Sequence, residues 1–363
     1  MSSKKENNLE ELEIIGLDLS LRENIDRDML QDNQLARVIS VNRERYVVKN
    51  RKGEMSAEVT GKLMFNAGSP LDYPAVGDWV YIQVFDDGGL AIINEIVKRK
   101  SLLKRKSAGK SSDYQLIGAN IDTAFLMQSL DTNYNLRRLE RFLVMCYDSD
   151  IQPLVLLSKS DLLTDDEIEN KISNIKEIDQ NLNIIAFSNP DGSGIENIRN
   201  ILLPGKTYCL LGSSGVGKTT LLNTLIGKDK FRIAEVREKD SRGRHTTTRR
   251  EMIFLDNGAI VIDTPGMREL GNIAVEDGIE KAFDEISVLG EMCRFKDCSH
   301  TDETDCAVRN ALQSGELSQE RYDNYIKLMK ESKYNEMSYL EKRRRDKSFG
   351  KMIKSVMKNN RKK

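Results

Sequence analysis

The stretch "LVLLSKSDL" (residues 154–162) lies upstream of "LLGSSGVGKTT" (residues 210–220), and the order of the two decides how the chain must fold. The later stretch contains Gly212-Ser213-Ser214-Gly215-Val216-Gly217-Lys218-Thr219, followed by Thr220, and fits G-x-x-x-x-G-K-[ST]. It follows the apolar run "KTYCLL" and opens the helical pattern "TTLLNTLIG", the context a phosphate-wrapping loop needs. Glycines let successive backbone N–H groups converge on phosphate oxygens. The helix N-terminus adds its positive end. Lys218 is expected on the β- and γ-phosphates, and the Thr219 hydroxyl on Mg²⁺.

The earlier stretch ends a strand-like run with Ser158-Lys159-Ser160-Asp161. The usual guanine reader is N-K-x-D at a strand end. Its aspartate accepts hydrogen bonds from the purine ring N–H and the exocyclic amine. Adenine offers no such donor pair and would leave the carboxylate desolvated and unpaired, the strongest form of discrimination. The Lys159 stem can lie over the base plane. Ser158 replaces the usual asparagine and is too short for all of its contacts, which predicts weaker nucleotide affinity with unchanged base choice. Ser188 in "IIAFSNPDGSG" is the candidate for a second base-side element.

Asp263-Thr264-Pro265-Gly266 closes the apolar run "AIVI", 45 residues after Lys218. Asp263 is expected to hold the metal through water, and the Gly266 N–H to reach the γ-phosphate. Between these motifs lies "KDSRGRHTTTRR" (residues 239–250), read as a loop. One of Thr246, Thr247 and Thr248 would complete the Mg²⁺ shell, and Thr247 is the choice. Many GTPases place a water-orienting glutamine after D-x-x-G; Met267 stands there instead. His245 is the candidate to position water in its place.

The chain order is therefore base reader, phosphate loop, metal loop, whereas ordinary GTP-binding proteins begin with the phosphate loop. Cutting a GTPase sheet between its two halves and joining the old ends gives this order, a circular permutation. The strands can still assemble into one parallel sheet. The segment that senses the γ-phosphate then leads directly into the C-terminal region.

The rest of the chain fits around this centre. At 363 residues, two or three domains are expected. The composition, 31% charged and 39% hydrophobic with mean hydropathy −0.50, is that of a soluble protein. No apolar run approaches the ~18 residues of a membrane span, and the N-terminus lacks a signal peptide's apolar core. A cytoplasmic protein with no membrane partner is expected. Residues 1–34 form an acidic extension with nine Asp/Glu and four Lys/Arg, and its stretch "LEELEIIGLDL" finds no evident core. From 35 to 100, five short alternating runs ("ARVISV", "RYVVKN", "MSAEVTG", "DWVYIQV", "LAIINEIV") separated by turn residues predict an OB-type barrel. The segment "KRKSLLKRKSAGKSS" (residues 98–112) reads as a basic linker. Residues 101–271, with near-continuously apolar strands separated by helical patterns, predict the α/β P-loop GTPase domain.

Residues 272–363 turn helical, then hold Cys293-x4-Cys298-x-His300-x5-Cys306, and end in a block with eleven Lys/Arg and one Asp. Three thiolates and one imidazole suit one structural Zn²⁺ in tetrahedral geometry. Short spacings let one loop supply all four ligands. Cys146 and Cys209 read as small core residues. The basic block and linker suit a polyanion.

Together "VGDWV", "KSAGK", "NYNLRRLERFL", "SKSDL", "GSSGVGKTT", "GRHTTT", "DTPGM", "CRFKDCSHTDETDCAV" and "RRRDKSFGKMIK" resemble the ribosome small subunit-dependent GTPase A family, circularly permuted GTPases of bacterial small-subunit assembly. The resemblance covers roughly residues 35–355. It implies an OB barrel, a permuted GTPase domain and a zinc-bearing C-terminal domain. It also implies GTP hydrolysis to GDP and phosphate, stimulated by the small ribosomal subunit, with rRNA as a partner and a role in late subunit maturation. Ser158 and the segment around Ser188 depart from the family pattern. The whole reads as a monomeric GTPase checkpoint that grips rRNA phosphates through its barrel and basic segments. Two rivals share parts of this pattern. A P-loop ATPase or kinase would share the phosphate loop but leaves Asp161 without a purpose. A binding-only RNA chaperone with a vestigial nucleotide site would share the barrel and the basic blocks.

Overall fold

The computed structural model describes residues 9–42, 45–85, 89–106, 114–227, 250–263, 276–337 and 341. Its described residues fall into two compact units: one runs up to Arg105 and resumes from Tyr114 to Asp263, and the other takes Lys106 and resumes at 276.

Five strands come first: β1 (Gln34–Asn42), β2 (Arg45–Asn50), β3 (Gly53–Val59), β4 (Trp79–Phe85) and β5 (Leu90–Ile96). They pair in the order β1-β2-β3-β5-β4, and β4 pairs again with β1, which closes a barrel. β3 and β5 run parallel; the other barrel pairs are antiparallel. Strand alternation sends Ala36, Val38, Val80 and Ile82 inward, onto a core with Tyr46, Val48, Met55, Ala57, Ala91 and Ile93. The other face of β1 and β4 carries Leu35, Trp79 and Tyr81. These pack against Leu12, Ile15, Leu17, Leu21 and Ile25 of the acidic N-terminal segment. The stretch without an evident core thus has one, on the outside of the barrel.

β6 (Leu102–Lys106) and β7 (Tyr114–Ala119) form a two-stranded sheet. The segment expected as a linker is therefore partly strand. Its Leu103 is fully buried, and Arg105 Nε donates to Gln115 at 2.9 Å, so the basic residues sit on an otherwise packed ribbon.

The α/β part contains β8 (Thr123–Ser129), β9 (Gln152–Ser158), β10 (Asn183–Phe187), β11 (Thr207–Gly212), β12 (Arg250–Phe254) and β13 (Ile260–Asp263). The order is β10-β9-β8-β11-β13-β12. The first five are mutually parallel, and β12 is antiparallel to β13. The sheet is not all-parallel as expected, because "REMIF" returns beside β13. β12 also pairs with β1 (Ser40↔Glu251, Val41↔Arg250), so barrel and α/β sheet are one continuous eleven-stranded surface. The α/β core gathers Phe125, Met127, Leu154, Leu156, Phe187, Leu210, Val216 and Leu221. Cys146 and Cys209 are buried, and burial pushes both thiols up.

Arg37 of β1 locks the barrel to the α/β sheet. It is fully buried and donates to the Ile15 carbonyl (2.6 Å), the Gly77 carbonyl (3.2 Å), the Asn120 carbonyl (3.3 Å) and Thr207 Oγ1 (2.8 Å). Burial lowers its basicity to about 10 against the pull of Asp122, Asp18 and Asp78. Gly77 explains the "VGDWV" signature: a Cβ there would lie 2.1 Å from the Ala119 carbonyl oxygen. Asp78, fully buried, takes a bidentate bond from Arg99 (2.8 Å from both Nε and Nη2).

The second unit holds helices Glu276–Ala282, Asp284–Glu291, Ala307–Ser314 and Gln319–Glu336. They bury Ile279, Phe283, Ile286, Val308, Tyr325 and Leu328. Arg321 bonds Glu285 at 2.6 Å and covers the Phe283 ring at 4.1 Å.

No helix among the described residues is long and apolar enough to cross a membrane.

Candidate guanine-nucleotide site and metal centre

The candidate nucleotide site lies at the carboxyl ends of the parallel strands, where open α/β sheets bind ligands. β11 ends at Gly212, where a Cβ would meet the Met127 carbonyl oxygen at 2.7 Å, so only glycine lets the loop leave the sheet here. Gly215 and Gly217 turn with φ +80° and +91°, and the helix Lys218–Ile226 begins at once. Lys218 arches back over the loop, its Nζ donating to the Gly212 and Ser213 carbonyls at 2.6 and 2.7 Å. Thr219 is exposed at the start of the helix, with Thr220 half-buried behind it. Asp263 ends β13 in the neighbouring strand. Burial raises its carboxyl, Glu251 across the β12 pairing adds to this, and the Lys218 charge opposes it.

The base-side segments end two and three strands away from the phosphate-loop strand. Ser158 closes β9, fully buried, and its hydroxyl donates to the Val216 carbonyl of the phosphate loop at 2.7 Å. Serine therefore keeps a direct tie between the two motifs, a contact that side-chain length alone did not suggest. Lys159 follows in the left-handed region (φ +62°, ψ +40°) and starts a short 3-10 turn, Ser160–Leu162. Ser160 is half-buried, and Asp161 is exposed on that turn. Ser188 follows Phe187, which pairs with Ser158 in the parallel register, so it stands beside the base reader. The next residue, Asn189, lies against the phosphate loop: a Cβ on Gly217 would be 3.0 Å from its Nδ2.

A third strand end contributes residues that the motif reading left without a role. After β8, Asp131 accepts from the Ser129 hydroxyl (2.7 Å) and the Asn133 N–H (2.9 Å) on one oxygen, and binds the Lys159 ammonium (2.6 Å) on the other. Burial pushes this carboxyl up, yet the Lys159, Ser129 and Asn133 donors outweigh it and hold it at about 2. Asn133 Nδ2 donates to Ser213 Oγ at 3.0 Å. Arg138 fixes the amide, donating to Asn133 Oδ1 at 2.9 Å and to its carbonyl. No pattern within the sequence marks Asp131, which only spatial neighbours make informative.

His245, Thr247, Gly266 and Met267, together with the basic block 342–363, lie outside the described residues.

In the second unit Cys293, Cys298, His300 and Cys306 bring their ligand atoms within 4.8 Å of one another. Cys293 Sγ is 3.8 Å from Cys306 Sγ and 3.6 Å from His300 Nδ1, and Cys306 Sγ is 3.5 Å from the same nitrogen. Four ligands at ordinary zinc distances define a tetrahedron with edges of about 3.8 Å between sulfurs and about 3.6 Å between sulfur and nitrogen. The cluster can hold a metal ion of that size. Tyr322 donates to the His300 carbonyl at 2.8 Å and steadies the loop.

Strand order, phosphate loop and the upstream base reader define a circularly permuted P-loop GTPase. A family model described as RsgA GTPase matches residues 96–273. The small ribosomal subunit biogenesis GTPase RsgA 2 of Lactiplantibacillus plantarum is 41% identical over 90% of this chain and 92% of its own length. RsgA 1 of Bacteroides thetaiotaomicron is 38% identical over 90% of this chain and 91% of its own. The crystal structure of YjeQ from Thermotoga maritima is similar with TM-score 0.61 and 27% identity, covering 83% of this chain and 98% of that one. The crystal structure of YloQ, a circularly permuted GTPase, is similar with TM-score 0.59 and 26% identity, covering 85% of this chain and 97% of that one. The chain belongs to the RsgA GTPase family.

Proposed function

We propose that the protein binds GTP and hydrolyses it to GDP and phosphate as a timed step in small ribosomal subunit biogenesis, the role that the names of its relatives give to those proteins. The observation that carries this reading is the 2.7 Å bond from Ser158 to the phosphate-loop carbonyl of Val216. It ties the end of the base-reader strand directly to the phosphate loop, although the chain presents the two in reverse order.

In this reading Asp161 accepts from the guanine ring N–H and amine, the Lys159 stem covers the base, and Ser188 offers a backbone N–H. The loop 212–217 wraps the phosphates, and Lys218 leaves its loop carbonyls for the β- and γ-oxygens. Thr219 and Thr247, and Asp263 through water, would hold Mg²⁺, which would supply charge neutralisation at the phosphates. The Gly266 N–H meets the γ-phosphate. His245 orients the attacking water, whose addition to the γ-phosphorus breaks the bond to the β-phosphate oxygen. Cys293, Cys298, His300 and Cys306 would hold one structural Zn²⁺, whose contribution is to close their loop.

The working division is 1–34 for the acidic extension, 35–100 for the barrel, 101–271 for the GTPase domain and 272–363 for the metal-bearing domain; from Leu9 on, the extension packs onto the barrel. The barrel and the basic segments grip rRNA, GTP favours the gripping state and hydrolysis releases it. The protein acts in the cytoplasm as a monomer.

Phosphate release measured with small subunits, large subunits and neither tests the reading. Stimulation by the small subunit alone is expected. A rate no higher than that of the isolated protein would leave a binding-only factor, and equal competition by ATP would leave an ATPase.

A further inference from the structure

We propose that Asp131 is a positioning residue for guanine recognition, holding the base-stacking Lys159 in place and coupling it to the phosphate loop through Asn133. The inference rests on the GTP-binding reading above.

Three observations carry it. The Asp131 carboxylate divides its oxygens between two tasks. Oδ1 takes the Ser129 hydroxyl and the Asn133 N–H, which fixes the carboxylate on the end of β8. Oδ2 faces away from these and takes the Lys159 ammonium at 2.6 Å, across to the end of β9. Lys159 itself sits in the left-handed region, which disfavours any residue with a Cβ. The ion pair with Asp131 fixes the direction in which the side chain leaves this unusual backbone position. Finally, the same turn reaches the phosphate loop. Asn133, oriented by Arg138, donates to Ser213 Oγ. One short segment therefore touches both the residue expected over the purine and the loop expected around the phosphates.

The physical consequence is preorganisation. A lysine stem free to rotate loses rotamer entropy when it covers a base, and a stem already tethered loses less. Asp131 therefore raises nucleotide affinity without touching the nucleotide. Asn in its place keeps an acceptor for Ser129 and Asn133 but drops the charge that holds Lys159.

The test is a double-mutant cycle on the full-length protein, read by titration with methylanthraniloyl-GDP, with thermal unfolding to check folding. Asp131→Asn should weaken binding about fivefold, the upper range for a part-exposed ion pair. In a Lys159→Ala background the same change should cause no further loss, because its route is gone. Asp131→Glu, which keeps the charge, should bind within about twofold of the parent, and it decides the matter if Asp131→Asn does not fold. An equal loss in both backgrounds, no loss in the parent, or a fivefold loss with folded Asp131→Glu would overturn the assignment. A parent protein that fails to bind the labelled GDP would instead sink the GTPase reading itself.

Discussion

The parallel strands β8 and β11 meet very different surroundings at their two ends. At the amino ends, the fully buried Arg37 and the part-buried charges around it are saturated. Arg37 spends its donors on three carbonyls and the Thr207 hydroxyl. Asp122 accepts from the Thr207 N–H at 2.8 Å and pairs with Lys100 at 2.8 Å, and Lys100 also binds Asp18 at 2.6 Å. At the carboxyl ends the polar groups are linked but exchangeable. Lys218 rests on loop carbonyls, Lys159 on a part-exposed carboxylate, and Asp161 lies open to solvent. Both ends carry charge on the same strands. Burial without exchangeable partners makes a joint, and part-exposure with partners a ligand can replace makes a site.

The sharpest way to break this comparison is Arg37→Met. It strands the Ile15 and Asn120 carbonyls and the Thr207 hydroxyl in the interior, while the Gly77 carbonyl keeps the Asn120 amide at 3.0 Å. Urea unfolding should show a loss of about 3–5 kcal/mol; a loss below about 1 kcal/mol would mean that the amino-end cluster is not a joint. Asp161→Asn acts at the other end. GTP affinity should fall about a hundredfold, xanthosine nucleotide should gain, and the unfolding midpoint should stay put. A stability change there with unaltered base preference would erase the distinction between the ends.

Ser158→Ala sharpens the boundary between the two, since Ser158 is fully buried yet serves the loop. Leaving the Val216 carbonyl unpartnered should weaken nucleotide binding about fivefold, read by calorimetry, and lower stability by about 1 kcal/mol. An effect on stability alone would assign the bond to the scaffold. The smallest effect concerns acid. Burial works to raise the Asp18 carboxyl, but bonds from Lys100, Ser20 and the Leu21 N–H bring it from 3.8 to about 2. A carboxyl lowered on folding contributes stability that is present above pH 3.8 and is lost as pH falls towards 2. Between pH 5 and pH 3 the denaturant midpoint should therefore drop less in Asp18→Asn than in the parent.

The barrel strands were legible because each alternates between turn residues, and the structure places all five where the alternation does. The phosphate loop and the Cys/His spacing were legible because backbone chemistry and ligand geometry demand fixed residues at fixed intervals. Three features escaped. The N-terminal segment lacked a visible partner because Leu35, Trp79 and Tyr81 occupy the strand face that alternation assigns to solvent. β12 escaped because "REMIF" adjoins a stretch rich in arginine and threonine, and although β13 follows within a few residues, its other pairing partner, β1, comes from a distant part of the chain. Asp131 and Asn133 escaped because their meaning is purely spatial: their partners Lys159 and Ser213 are 28 and 80 residues away.

A crystal structure with a non-hydrolysable GTP analogue tests the central claim most directly. The account predicts the Asp161 carboxylate within hydrogen-bond reach of the guanine ring N–H and amine while Lys218 Nζ contacts the β- and γ-phosphates of the same molecule. A purine seated away from Asp161, with the phosphates still in the loop 212–217, would contradict it.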